Sequence, residues 1–375
     1  MNGESRRVIM KATESLYRSG QSLWLDNITR ELLTSGTLAR YIRDWSVKGL
    51  TSNPTIFDHA IAKSNAYDVA IREQLRAGHS GEQLFFELAL QDLTAAADLF
   101  REVHEQTAGV DGWVSLEVSP LLARDARTTL AEAQELHARA GRPNVYIKIP
   151  GTAEGLLAIE EAIFAGIPIN VTLLFSPPQY LAAAEAYLRG VERRIEAGLN
   201  PNVGSVASLF ISRWDVAAAA RVPEALTNGL GLAIGRATYW AYTGMLASNR
   251  WRRVFNAGAR PQRLLFASTG TKDPRASDIL YVKGLRAPLT VNTVPESTLK
   301  AFAAHGELND AWSEEGEASE HALDEFRRAG IDVDALAARL QDEGAASFVA
   351  SWNDLLRVIA VKSSSLPMGR RRAGS

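Results

Sequence analysis

Eight short runs of nearly continuous apolar residues punctuate the chain, separated by longer stretches in which apolar positions recur every three to four residues. The runs lie near 22–27, 48–53, 112–119, 144–150, 168–175, 204–212, 263–269 and 289–295. Strands without in–out alternation are those buried on both faces, as in a parallel sheet covered by helices. Eight such strands alternating with helices are the number that closes a (β/α)8 TIM barrel, so the pattern predicts an α/β fold of this kind.

The helical stretches carry readable ends. Ser80 followed by Gln83 has the spacing of a capping box, and Leu84, Leu88, Ala95 and Leu99 then fall on one face. The helix from Ala153 to Ala165 is expected to stop at Gly166, with Pro168 beyond, and Pro177 to open the next. From Leu308 to Lys362 the chain reads as wholly helical, an addition after the eighth strand. No Pro/Gly/Ser-rich linker breaks the series. The expected organisation is a lead-in over 1–20, one barrel domain over 21–362 including the helices 308–362, and a basic flexible tail over 363–375. A length of 375 residues by itself also permits two or three ordinary domains.

Composition narrows the function classes. With 46% hydrophobic residues the chain can build a large core. A balance of 41 Lys plus Arg against 43 Asp plus Glu offers no field for a phosphate backbone, so nucleic acid is not an expected partner. Without any cysteine there is no disulfide, iron–sulfur or thiol chemistry. The first twenty residues are charged throughout and lack the apolar stretch of a signal peptide, and the segment 229–249 reads as a buried helix rather than a membrane span. A cytoplasmic enzyme without membrane association is the expectation.

The informative positions are the polar ones inside the apolar runs. Lys148 sits in Val145-Tyr146-Ile147-Lys148-Ile149-Pro150, where a buried ammonium is costly unless paired or neutralised. It could reach water from the strand end, or it could be a carbonyl nucleophile. Glu117 interrupts the third run, Asp26 ends the first and Asn53 the second; Asn170 and Thr172 share one face of the fifth, and Ser208 interrupts the sixth. In a barrel all six strands line one interior, and active sites gather at their C-terminal ends. An amine, two carboxylates and several hydrogen-bonding groups converging there suit Schiff-base chemistry, in which a carboxylate moves protons while a C–C bond breaks.

Arg213 follows Ser212 where the sixth strand should give way to a helix, a place that favours an anion; the plain alternative is a surface pair with Asp215. The loop Ser268-Thr269-Gly270-Thr271-Lys272-Asp273-Pro274 lacks Walker A spacing but occupies the usual phosphate position of a barrel. The six histidines, His59 among them, show no metal-ligand spacing and read as structural or solvated, so no metal is expected.

Taken together, Leu50-Thr51-Ser52-Asn53-Pro54-Thr55, Val114-Ser115-Leu116-Glu117-Val118, Ile147-Lys148-Ile149-Pro150-Gly151-Thr152 and the stretch 169–176 resemble the corresponding segments of transaldolases. The stretches 207–215 and 267–274 resemble the longer bacterial subfamily, and the likeness runs in order over about residues 20–300. The resemblance implies a TIM-barrel transferase of the pentose phosphate pathway that uses no cofactor. It would move a dihydroxyacetone unit from sedoheptulose 7-phosphate to glyceraldehyde 3-phosphate, giving erythrose 4-phosphate and fructose 6-phosphate. Carried over by motif, Lys148 forms the Schiff base, Asp26 takes and returns the hydroxyl proton, and Glu117 acts through a water held by Thr172. Asn53, Asn170 and Ser208 bind the dihydroxyacetone hydroxyls, and Arg213 and Ser268 the phosphate. Typical transaldolases carry a second arginine where this chain has Gly270, and its role is assigned to Lys272. Fructose 6-phosphate aldolases resemble the stretch around Phe210 but carry Tyr there, so Phe210 favours transfer over simple cleavage. Sugar phosphates are thus the expected partners, with the oligomeric state open between monomer and homodimer. A non-catalytic sugar-phosphate-binding barrel is the rival from another class; it would not need Lys148, Glu117 and Asp26 together.

Overall fold

A computed structural model of the chain describes residues 11–308 and 316–366. The runs of Val, Ile and Leu form eight strands: β1 (Gln21–Asp26), β2 (Val47–Thr51), β3 (Trp113–Glu117), β4 (Val145–Pro150), β5 (Ile169–Leu174), β6 (Ser205–Phe210), β7 (Arg263–Ala267) and β8 (Thr290–Val294). Each pairs in parallel with its sequence neighbours, and β8 closes on β1. This is the expected (β/α)8 barrel, with helices around it and more after the eighth strand.

The strands end earlier than the apolar runs because the next residues turn to cap helices. Asn53, expected at the end of β2, lies beyond it and accepts from the Ile56 amide as N-cap of the helix Pro54–Lys63. Thr152 and Ser176 cap the helices that follow β4 and β5 in the same manner. Gly166 ends the helix Ala153–Ala165 in the left-handed conformation, and Pro177 opens the next helix, both as expected.

Two local expectations fail. Ser80 precedes the helix Gly81–Gln106 but its side chain makes no capping bond. The packed stripe of that helix passes through Leu88, Asp92, Ala96 and Phe100, leaving Ala95 and Leu99 exposed. Asp92 is buried because Arg30 Nε and Tyr67 Oη donate to it at 2.8 and 2.7 Å.

The lead-in contains a helix, Ala12–Arg18, ahead of β1. After β8 come the helices Glu296–His305, Gly316–Arg328 and Val333–Ser365. The last runs three residues into the expected tail; Arg370, Arg371 and Arg372 lie outside the described residues. Among the described residues no helix is long and apolar enough to cross a membrane.

Candidate active site

Register decides which polar side chains meet. Glu117 of β3 pairs with Lys148 of β4, and Lys148 with Asn170 of β5, so three consecutive strands set an acid, an amine and an amide in one row near the C-terminal rim. Lys148 is 5% exposed and Glu117 4%, which removes the possibility that the amine reaches bulk water. The Lys148 ammonium donates to Glu117 Oε2 at 3.1 Å and to the Ser52 carbonyl at 3.2 Å. Above it lies the ring of Phe348, with Nζ 5.5 Å from the centroid.

Asp26 closes the other side. Its Oδ1 accepts from Thr51 Oγ1 at 2.7 Å, and Thr51 in turn shares a 2.7 Å hydrogen bond with Thr293 of β8. Burial raises the Asp26 carboxyl above its usual range, an effect opposed by the Thr51 hydrogen bond and by the charges of Lys148 and Lys272. Burial also raises Glu117, opposed by Lys148 and reinforced by Asp26. Both acids are therefore poised to hold a proton more readily than exposed carboxylates. Glu117 Oε1 and Thr172 Oγ1 are buried with no hydrogen-bond partner among the described residues. Asn170 is held on both ends, donating to Ser115 Oγ at 3.1 Å and accepting from Ser208 Oγ at 2.7 Å.

A cavity of about 320 Å3 opens above this floor and is lined by Asp26, Asn53, Lys148, Ser208, Arg213, Ser268 and Lys272 among others. Seven of the expected residues thus face one space. Glu117, Asn170 and Thr172 do not line it: Glu117 sits behind Lys148 and Asn170 behind Ser208, through the bonds given above.

On the far wall Arg213 stacks on Phe210, with 5.3 Å from its guanidinium carbon to the ring centroid, and makes no hydrogen bond or ion pair among the described residues. The alternative pairing with Asp215 does not occur. Asp215 instead accepts from Tyr281 Oη and from the amides of Leu230 and Gly231. Ser268 has a left-handed backbone, with φ of 54°, and its hydroxyl shares a 2.9 Å bond with Ser212. A side chain at Gly270 would require Pro295 to shift, since a Cβ there would stand 2.9 Å from Pro295 Cγ. The Lys272 ammonium lies 3.8 Å from that same point.

Sequence reasoning missed the roof. The helix Val333–Ser365 crosses the mouth, placing Ser347 and Phe348 on the cavity. Gln341 fastens it, donating to the carbonyls of Gly151 and Leu173 at 3.1 and 2.9 Å. Leu173 adopts a left-handed φ of 59° where the β5–β6 register slips, which turns its carbonyl toward this helix. Gly344 permits the close approach, since a Cβ would come within 2.9 Å of Leu173 Cδ2 and 3.2 Å of Arg213 Nη1. Thr51, Thr293 and His59 were also passed over; the first two carry polar letters in apolar runs, a signal that could have found them.

Comparisons with known proteins agree on one family. The profile described as Transaldolase/Fructose-6-phosphate aldolase matches residues 23–359, well past β8 and through most of the roof helix. A protein of Thermobifida fusca named Transaldolase is 44% identical over 356 residues, covering 92% of this chain and 97% of its own. A Transaldolase of Saccharopolyspora erythraea is 42% identical over 92% of this chain and 96% of its own. Transaldolase 1 of Streptomyces avermitilis is likewise 42% identical, over 92% and 94%.

Proposed function

The chain belongs to the transaldolase/fructose-6-phosphate aldolase family and is an enzyme of the transaldolase type, and from that premise we propose a specific reaction. It moves a dihydroxyacetone unit from sedoheptulose 7-phosphate to D-glyceraldehyde 3-phosphate through a Schiff base on Lys148. The products are erythrose 4-phosphate and fructose 6-phosphate, in the cytoplasmic, non-oxidative branch of the pentose phosphate pathway. The observation that carries this reading is the buried Lys148–Glu117 pair opening, beside Asp26, into a cavity with uncommitted cations on its far wall.

The residues divide the work as follows. A proton passed from the ammonium to Glu117, whose carboxyl burial has raised, frees the amine to attack the ketose carbonyl carbon, C2. The carbinolamine loses its hydroxyl as water when Glu117 returns a proton through a water held with Thr172; these two side chains offer the buried, unpartnered oxygens for it. Asp26 takes the proton of the C4 hydroxyl, the C3–C4 bond breaks, and its electron pair flows into the iminium to leave an enamine. The aldehyde departs, a second aldehyde enters, and the steps reverse with Asp26 returning its proton. Asn53 and Ser208 bind the hydroxyls of the three-carbon unit, with Asn170 behind Ser208 fixing its hydroxyl, while Arg213, Ser268 and Lys272 hold the phosphate. Phe210 and Phe348 face the enamine with apolar rings, which disfavours its protonation by water and favours transfer over release of free dihydroxyacetone.

Borohydride reduction in the presence of fructose 6-phosphate, followed by peptide mass mapping, tests the nucleophile; an unmodified Lys148 after complete reduction sinks the reading. Following product with and without erythrose 4-phosphate tests transfer. Dihydroxyacetone released equally fast without an acceptor would convert the proposal into an aldolase.

A further inference from the structure

We propose that a second cavity, at the N-terminal floor of the barrel and opposite the mouth, binds a small organic monoanion with an apolar body, its acid group held by Arg260 and the hydroxyls of Tyr17 and Tyr146. The cavity measures about 580 Å3 and is enclosed by the starts of β1, β4, β6 and β7 together with the preceding loops.

Three of its donors, on Tyr17, Tyr146 and Arg260, have no acceptor among the described residues, whereas Tyr242 and Ser205 donate to the carbonyls of Leu289 and Ile169. Tyr146 is 3% exposed, with its ring stacked on Trp113 at 4.1 Å, so a phenylalanine would pack as well there. Yet its hydroxyl points to the cavity and makes no hydrogen bond among the described residues, and neither does that of Tyr17. Gly204 keeps this side open, since a Cβ there would stand 3.1 Å from the Tyr146 hydroxyl. The Arg260 side chain also lines the cavity and makes no hydrogen bond or ion pair among the described residues, while its backbone carbonyl accepts from Tyr187 Oη; its charge acts on the Tyr146 hydroxyl after that of Arg263. The other arginine present is committed: Arg263 is bound to Asp111, Ser22 and two carbonyls. Asp111 is the acid on the cavity wall, and Arg263 and Ser22 occupy its two oxygens. The site therefore presents one unspent positive charge and two phenolic donors, which fits a single carboxylate or sulfonate.

The rim selects the rest of the ligand. Val110, Phe255 and Leu289 are 43%, 56% and 58% exposed and gather around this opening. An aromatic or branched aliphatic body would cover them, whereas a sugar phosphate would not.

8-Anilinonaphthalene-1-sulfonate is a suitable probe, titrated by fluorescence against the full chain. One saturable site is expected, weakened about tenfold or more by Arg260→Leu and several-fold by Tyr146→Phe. Arg213→Leu, at the mouth, should leave it unchanged. Uncharged 1-anilinonaphthalene should bind the unmodified protein at least about tenfold more weakly, a readout independent of any variant's folding. No saturable site, indifference to Arg260→Leu in a folded variant, loss of binding in Arg213→Leu, or equal affinity for the uncharged probe would each overturn the proposal.

Discussion

The barrel holds one buried ion pair at each end, and they are built differently. At the mouth Lys148 meets Glu117 at 3.1 Å, and one oxygen of that acid has no partner among the described residues. At the floor Arg263 meets Asp111 at 2.9 Å; Arg263 also donates to Ser22 Oγ and to the Val110 and Thr290 carbonyls, and Ser22 closes the second Asp111 oxygen. A lysine can surrender its proton to a carboxylate that burial has already raised, so the mouth pair can become neutral without leaving its place. A guanidinium cannot, so the floor pair is fixed as charges and serves only to join β1, β7, β8 and the loop before β3. Reactivity goes with the pair that a proton can erase, and rigidity with the one that it cannot.

Removing one partner from each should separate the two roles. Lys148→Ala is expected to lower kcat by at least about a thousandfold, since the other amine on the cavity, Lys272, stands on the loop after β7 beside Gly270 and not beside Glu117. Its denaturation midpoint should change little, because the Glu117 left behind can stay protonated. Steady-state turnover and a urea titration on the same preparation check both halves; a collapse in stability would make Lys148 a structural residue instead. Asp111→Ala should do the reverse. It strands the Arg263 charge and is expected to cost about 3–5 kcal/mol of unfolding free energy, while turnover of the folded fraction persists. The double change Asp111→Leu with Arg263→Met should recover most of that loss, as replaced pairs tend to.

The two ends were not equally legible in the sequence. Continuous apolar runs revealed all eight strands, and polar letters within them marked Lys148, Glu117, Asn170, Thr172 and Ser208, because a strand buried on both faces makes each such letter an exception. Phe348 gave no such signal: one more apolar residue on a helix looks like core until the chain fold lays it over Lys148. The stripe expected through Ala95 and Leu99 passes instead through Asp92, because Arg30 and Tyr67, far away in sequence, bury that acid. The floor pair was invisible for the same reason. Arg263 and Asp111 stand at the ends of their runs, 152 residues apart, where charges are ordinary.

A third acid sharpens the contrast at the rim of the mouth. Glu132, on the helix Ala126–Ala140, accepts from the Ser119 amide at 2.6 Å, just beyond Glu117. Burial is the main cause that pushes its carboxyl from 4.5 up to about 7. Between those values the folded chain holds a proton that the unfolded chain has released, so stability falls as pH rises across that window, by about 3 kcal/mol. Urea midpoints between pH 4.5 and 7.5 should show the decline, and Glu132→Gln should flatten it. An unchanged slope in that variant would assign the decline to Glu117 and Asp26, whose raised carboxyls act in the same direction.

The smallest effect belongs to the far wall, where the cations have no hydrogen-bond or ion-pair partner among the described residues to lose. Arg213 is walled in by Phe210 and Gly344, whereas Lys272 stands on an exposed loop and reaches the space beside Gly270. A side chain at 270 would press on Pro295, and the Lys272 ammonium already reaches to 3.8 Å of that point, so it brings a second cation there without the shift. A flexible ammonium that contacts only a spectator phosphate contributes to substrate and transition state alike. Lys272→Ala is therefore expected to raise KM for the sugar phosphate by about tenfold with kcat nearly unchanged, and to leave KM for unphosphorylated dihydroxyacetone donors unaffected. Kinetics on paired phosphorylated and unphosphorylated donors check it. A large fall in kcat would instead give weight to the charge that Lys272 already exerts on the Asp26 carboxyl and couple the far wall to the proton transfer.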